Sequence, residues 1–128
     1  MGNGTSIGRV RGLGASHHGA HQWLVQRTTA IANVVLMSWL LVSFVMLGDF
    51  DYANVLKWLS QPVAAVPMML LVVSLFWHAR LGLQMLIEDY VHDSGTKFAV
   101  IAALNLAIFG GGAFAIFSVA ALAFGGQA

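Results

Sequence analysis

His78 and Arg80 stand in the otherwise apolar run from Pro62 to Ile87. An ionisable side chain inside a hydrocarbon-soluble segment is costly, and by default it marks function. Three kinds of chemistry suit His78: a hydrogen bond to another polar side chain, proton transfer through water, or ligation of a metal such as haem iron. At about 100° per residue, Asp89 lies only about 20° around a helix from His78, three turns further on. Gly82 and Met85 share that face and Ser74 precedes it by one turn, so the helix surface is thin beside the imidazole. Gly82 suits either the edge of a flat macrocycle or a close helix contact. Tyr90 follows at the end of the run, as an interfacial anchor or, with Asp89, His92 and Asp93, as part of a site for an amphipathic redox or proton carrier. Arg80, Gln84 and Glu88 make a second polar stripe pointing away from His78. Arg80 sits about 12 Å below the level of Glu88, so snorkelling alone is strained and a carboxylate or a haem propionate is the other expected partner.

The elements that must hold these groups follow from composition. Of 128 residues, 59% are hydrophobic and 9% charged, whereas soluble domains carry about 25% charge. That excludes a water-soluble monomer. Six Lys plus Arg against five Asp plus Glu give a net charge of +1, which leaves no basic stripe for nucleic acid. Cysteine is absent, so this chain can supply no disulfide, thiolate zinc site or iron-sulfur cluster.

The apolar residues fall into three blocks, each near the roughly 20 needed to cross a bilayer. The pattern predicts an all-α membrane protein with helices over 28–47, 63–88 and 98–124, after a cytoplasmic segment 1–27. Arg9, Arg11 and Arg27 precede the first helix, whereas the following loop sets Lys57 against Asp49 and Asp51. By the positive-inside rule the N-terminus is cytoplasmic and the C-terminus emerges on the opposite side. The first residues are Gly-rich, with His17, His18 and His21, and lack the apolar core of a secretory signal. Within them, the matches to N-myristoylation at Gly2 and N-glycosylation at Asn3 are cheap patterns. Ala99, Ala103, Ala107, Gly111 and Ala115 recur at intervals of four, which predicts a small-residue packing face on the third helix.

His78 is the one histidine expected deep in the membrane, so a haem with two His ligands at that depth needs a second chain. No phosphate-binding glycine loop or nucleophile-base pair is present to run a reaction alone, and the chain reads as a subunit.

The segment from His78 to Asp89 and Tyr90 resembles the H-x10-D-Y signature of the hydrophobic membrane-anchor subunits of succinate dehydrogenase, in particular the smaller anchor, or D subunit. His21, Arg27, Thr29 and Ala30 resemble that family's N-terminal H-x5-R-x-T-A element, and together the likeness spans essentially the whole chain. The resemblance implies a place in respiratory complex II, beside a flavoprotein subunit carrying FAD, an iron-sulfur subunit and a second hydrophobic anchor subunit. It implies that His78 is an axial ligand of haem b, with the other ligand from the second anchor. Tyr90 would hydrogen-bond a ubiquinone carbonyl, Asp89 would pair with an Arg of the second anchor, and Arg27 would lie near the propionates or the quinone. The expected location is the bacterial inner membrane rather than the mitochondrial one. Two other classes remain open on the residues alone: a proton- or ion-translocating subunit with a His78/Asp89 relay, and a purely structural anchor.

Overall fold

The computed structural model describes residues 19–125; the readings made on Arg9, Arg11, His17, His18 and the N-terminal modification patterns lie outside them. The described residues are helical apart from short connections. Four helices follow one another: α1 Gly19–Leu47, α2 Tyr52–Leu59, α3 Pro62–Tyr90 and α4 Ser94–Gly125. Three of them are long and apolar enough to cross a membrane. At 29, 29 and 32 residues, they run about 44 to 48 Å, well beyond the roughly 30 Å of hydrocarbon.

α1 begins nine residues before the expected Thr28, because Gly19 to Arg27 continue the same helix as a polar extension beyond the apolar stretch. It ends at Leu47, where Gly48 takes φ +74°, a left-handed conformation that glycine adopts without steric cost. α3 starts with Pro62 in its first turn, where a missing N–H costs nothing. Pro67 falls one turn later, leaving the Val63 carbonyl without its usual donor. Asp93 opens α4 by accepting a hydrogen bond from the Thr96 backbone N–H at 2.7 Å.

The short α2 replaces what the apolar pattern left as a loop. Its N-cap Asp51 accepts from the Asn54 N–H at 3.3 Å, and Leu59 is buried. Trp58 stacks on Trp39 of α1 at 5.9 Å between ring centroids and lies 5.7 Å from Phe44. The helix thus lies across the end where α1 stops, α3 starts and α4 finishes, touching all three.

α3 is central. It packs against α1 on one side and α4 on the other, while α1 and α4 do not meet. The contact with α4 is built on Phe76: a Cβ added at Gly111 would lie 3.0 Å from its ring, and one at Gly112 3.5 Å. The interval-of-four stripe does not form one face. Gly111 packs on Phe76 of α3, while Ala99, Ala103 and Ala107 are exposed on this chain; each step of four residues rotates the stripe about 40° around the helix.

Candidate functional site

The register between α1 and α3 is set by polar contacts within the membrane span. Thr29 Oγ1 lies 3.0 Å from His78 Nδ1, and Ser74 Oγ donates to the Thr29 carbonyl at 3.3 Å. The Thr29 hydroxyl also reaches the backbone carbonyls of Val25 at 2.9 Å and Gln26 at 3.0 Å. Those carbonyls only accept, so they draw the hydroxyl proton and leave its oxygen lone pair toward His78. Nδ1 then carries the imidazole proton, and Nε2 keeps a lone pair for a metal or a proton donor. Thr29 belongs to the N-terminal motif, but its contact with a side chain 49 positions away depends on the pairing of two helices.

Gln26 and Asn33 line the same seam, and each has a buried side-chain oxygen without a hydrogen-bond partner. Gly82 faces Gln26, whose Nε2 would lie 3.7 Å from an added Cβ, an ordinary van der Waals contact. Of the two readings of Gly82, its surroundings within this chain match helix packing.

Asp89 and Tyr90 are the last two residues of α3 and both are exposed, Tyr90 at 78%. The structure does not bring Tyr90 to His78: the two lie about 18 Å apart along one helix axis. Arg27 is exposed on α1, its guanidinium 5.0 Å from the centre of the Trp23 ring. With Thr29 opposite His78, Arg27 stands about 3 Å toward the Tyr90 end of the bundle, far closer to the level of His78 than to that of Tyr90.

Arg80 turns to the other seam. Its Nε donates to Asn105 Oδ1 at 2.7 Å, and its guanidinium lies 5.6 Å from the Trp77 ring and 5.8 Å from the Phe109 ring. Asn105 belongs to none of the motifs, yet a lone carboxamide in the uncharged run 98–124 is itself a signal. Gln84 Nε2 donates to Glu88 Oε1 at 2.8 Å, so the stripe's upper two members pair with each other. Lys97 Nζ caps the end of α3 through the Glu88 carbonyl at 3.2 Å.

Among the described residues no three His, Asp or Glu side chains gather to hold a bare metal ion. A porphyrin-held iron asks for only one axial ligand from each side, and an imidazole with its Nδ1 proton engaged is the right donor for it.

Fold and site together define a multi-pass membrane protein whose spans present polar groups. Residues 1–112 match the family model of the succinate dehydrogenase/fumarate reductase transmembrane subunit. The succinate dehydrogenase hydrophobic membrane anchor subunit of Rickettsia bellii is 34% identical over 101 residues, covering 78% of this chain and 80% of the relative. The subunit of the same name from Rickettsia conorii is 31% identical with the same coverage. The succinate dehydrogenase membrane anchor subunit of Reclinomonas americana is 29% identical, covering 65% and 72%. The chain belongs to the succinate dehydrogenase/fumarate reductase transmembrane subunit family, as a hydrophobic membrane anchor.

Proposed function

We propose that this anchor serves a succinate:ubiquinone oxidoreductase in the bacterial inner membrane, with its N-terminus cytoplasmic. In this reading it binds one side of a haem b through His78 and contributes Tyr90 and Asp89 to the ubiquinone reduction site. The observation that carries it is the Thr29 to His78 contact of 3.0 Å, which engages Nδ1 and leaves Nε2 as a ligand. Among the described residues no other histidine stands at the depth of His78, so a haem held there would take its other protein ligand from the second anchor subunit. A flavoprotein and an iron-sulfur subunit complete the complex and deliver the electrons.

A haem bound there supplies a one-electron carrier inside the membrane. What this chain does is bind, orient and move protons. His78 fixes the plane of its imidazole through Thr29 and Ser74. Arg27, about 3 Å from the level of His78, stands closer to where propionates would lie than to the Tyr90 level. Tyr90, at the boundary, donates its phenolic proton in a hydrogen bond to a quinone carbonyl oxygen, polarising it for reduction. Asp89 beside it pairs with an Arg of the second anchor and helps pass in the two protons that accompany two electrons into ubiquinol. A His78/Asp89 relay receives no help from Gly82 and Met85, which cannot carry a proton across the three turns between them.

The test uses the purified complex. His78→Ala should abolish or shift the haem b absorbance, and an unchanged spectrum removes His78 as ligand. Tyr90→Phe should lower ubiquinone reduction about tenfold, the value of one hydrogen bond to a developing charge, while succinate oxidation with a soluble dye persists. Wild-type quinone turnover in Tyr90→Phe would remove the phenol from the site.

A further inference from the structure

A groove runs between α1 and α3. At its Tyr90 end lies a cavity of about 290 Å³ lined by His21, Gln22, Val25, Trp77, Arg80, Leu81 and Gln84. Its walls are of two kinds. Val25, Trp77 and Leu81 are apolar, and Arg80 brings a full positive charge into a membrane-spanning helix.

That charge is incompletely answered. Its hydrogen bond goes to the neutral Asn105 through Nε, and its two aromatic neighbours give only quadrupole attraction. The Nη groups have no acceptor among the described residues. Residues 1–18 contain no Asp or Glu that could serve as one. Taking the Thr29 to His78 contact as the common level, Arg80 stands about 3 Å toward the Tyr90 end, and Gln84 and His21 about 9 and 12 Å. The polar groups thus form a ladder from within the hydrocarbon to its boundary. One turn above Gln84 stands the carboxylate of Glu88, held by Gln84 Nε2 at 2.8 Å. The cation is deep and the anion shallow.

An amphiphile of matching order has an acyl part in the membrane, a phosphate next and an amine outermost. We propose that this groove binds a glycerophospholipid with an amine-bearing headgroup. Its phosphate accepts from the Arg80 guanidinium, its ammonium lies toward Glu88 with His21 beside the headgroup, Val25 and Leu81 flank the headgroup, and its acyl chains run deeper past Trp77. Basic pockets between transmembrane helices are a common means of holding lipid headgroups. Within the groove, Arg80 itself lies about 160° around α3 from His78.

The experiment measures phospholipid retained by the purified, detergent-extracted complex by native mass spectrometry, after exchange into phosphatidylethanolamine, phosphatidylcholine or phosphatidylglycerol. The wild-type complex should retain phosphatidylethanolamine preferentially. Arg80→Gln should weaken its retention about tenfold or more, as expected for losing a hydrogen bond to a charged group. Glu88→Gln should keep a lipid but lose the preference for phosphatidylethanolamine over phosphatidylglycerol. Should Arg80→Gln fail to assemble, the double variant His21→Ala with Gln84→Leu leaves the Arg80 to Asn105 bond intact and should also lose lipid. Unchanged retention in the assembled variants overturns the proposal. So does a change in haem content or potential in Arg80→Gln with lipid retention unaltered, which would make the anion a propionate. Loss of the second anchor from Arg80→Gln in every lipid would make it a partner's carboxylate, and likewise overturns the proposal.

Discussion

Where α3 meets α4, an aromatic ring lies against two glycines and the one charged group is held by an amide. Where α3 meets α1, the contacts are a hydroxyl, an imidazole and carboxamides, and two side-chain oxygens are left without partners. The packing of the first seam is finished within the chain, and only the Arg80 Nη groups are left without an acceptor among the described residues. The second contains more polar capacity than the chain uses, and an unpaired polar atom buried in a membrane protein is costly enough to ask for an occupant. Tight packing thus belongs to the α4 side of the helix, and most of the unused polar capacity to the α1 side.

The sharpest way to break this division is to crowd the finished seam. Gly112→Leu would drive a side chain into Phe76 and should destabilise the complex by about 1–3 kcal/mol or more, read as a lower melting temperature. Gly82→Ala, on the other seam, meets only an ordinary contact and should be neutral or stabilising by up to about 1 kcal/mol. Equal losses at both sites would erase the distinction. A loss of haem from Gly82→Ala at unchanged stability would sharpen it, by placing the porphyrin edge against that glycine.

Next in size are two carboxamides. Asn105→Leu strips Arg80 of its acceptor and should cost about 1–3 kcal/mol, whereas Asn105→Asp should be tolerated because it still accepts from Nε. Asn33→Leu removes an oxygen with no partner and should leave the melting temperature unchanged or raise it. A clear fall in Asn33→Leu would mean that the assembled complex satisfies that oxygen from outside the chain.

The smallest effect lies outside the membrane, at the start of α4. The Thr96 backbone N–H, and after it the Thr96 hydroxyl, hold the Asp93 carboxyl below the usual aspartate range. A depressed folded pKa stabilises the fold above the ordinary value of about 3.9, and the contribution is lost as pH falls through the depressed value. The stability difference between the wild-type complex and Asp93→Asn should therefore narrow on acidification from about pH 5 toward pH 3. A difference independent of pH would show that Asp93 acts without its charge.

Composition and the lengths of apolar runs were enough to read the three spans, because a bilayer demands long uninterrupted helices. That His78 needs a polar partner was legible for the same reason, and Thr29 supplies one. What the sequence did not disclose is pairwise. The Thr29 hydroxyl and Asn105 find their partners only once helices far apart in the chain are set in register. The eight residues of α2 were too short and too amphipathic to stand out beside spans of 29 or more. The small-residue stripe drifts around α4 because an interval of four is not the helical period, and within this chain Gly111 meets α3 while Ala99, Ala103 and Ala107 stay exposed.

One consequence of the arrangement concerns the life of the molecule before it is assembled. With α1 and α4 apart, the three spans form a row with α3 in the middle, and among the described residues only six hydrophobic ones are buried. A row has two faces and almost no inside. An orphan copy is therefore solvated by lipid rather than by itself, and its persistence is set by how soon neighbours arrive. Supply of this chain in excess of its companions gains nothing, so the architecture makes the companions' abundance the governor of its own.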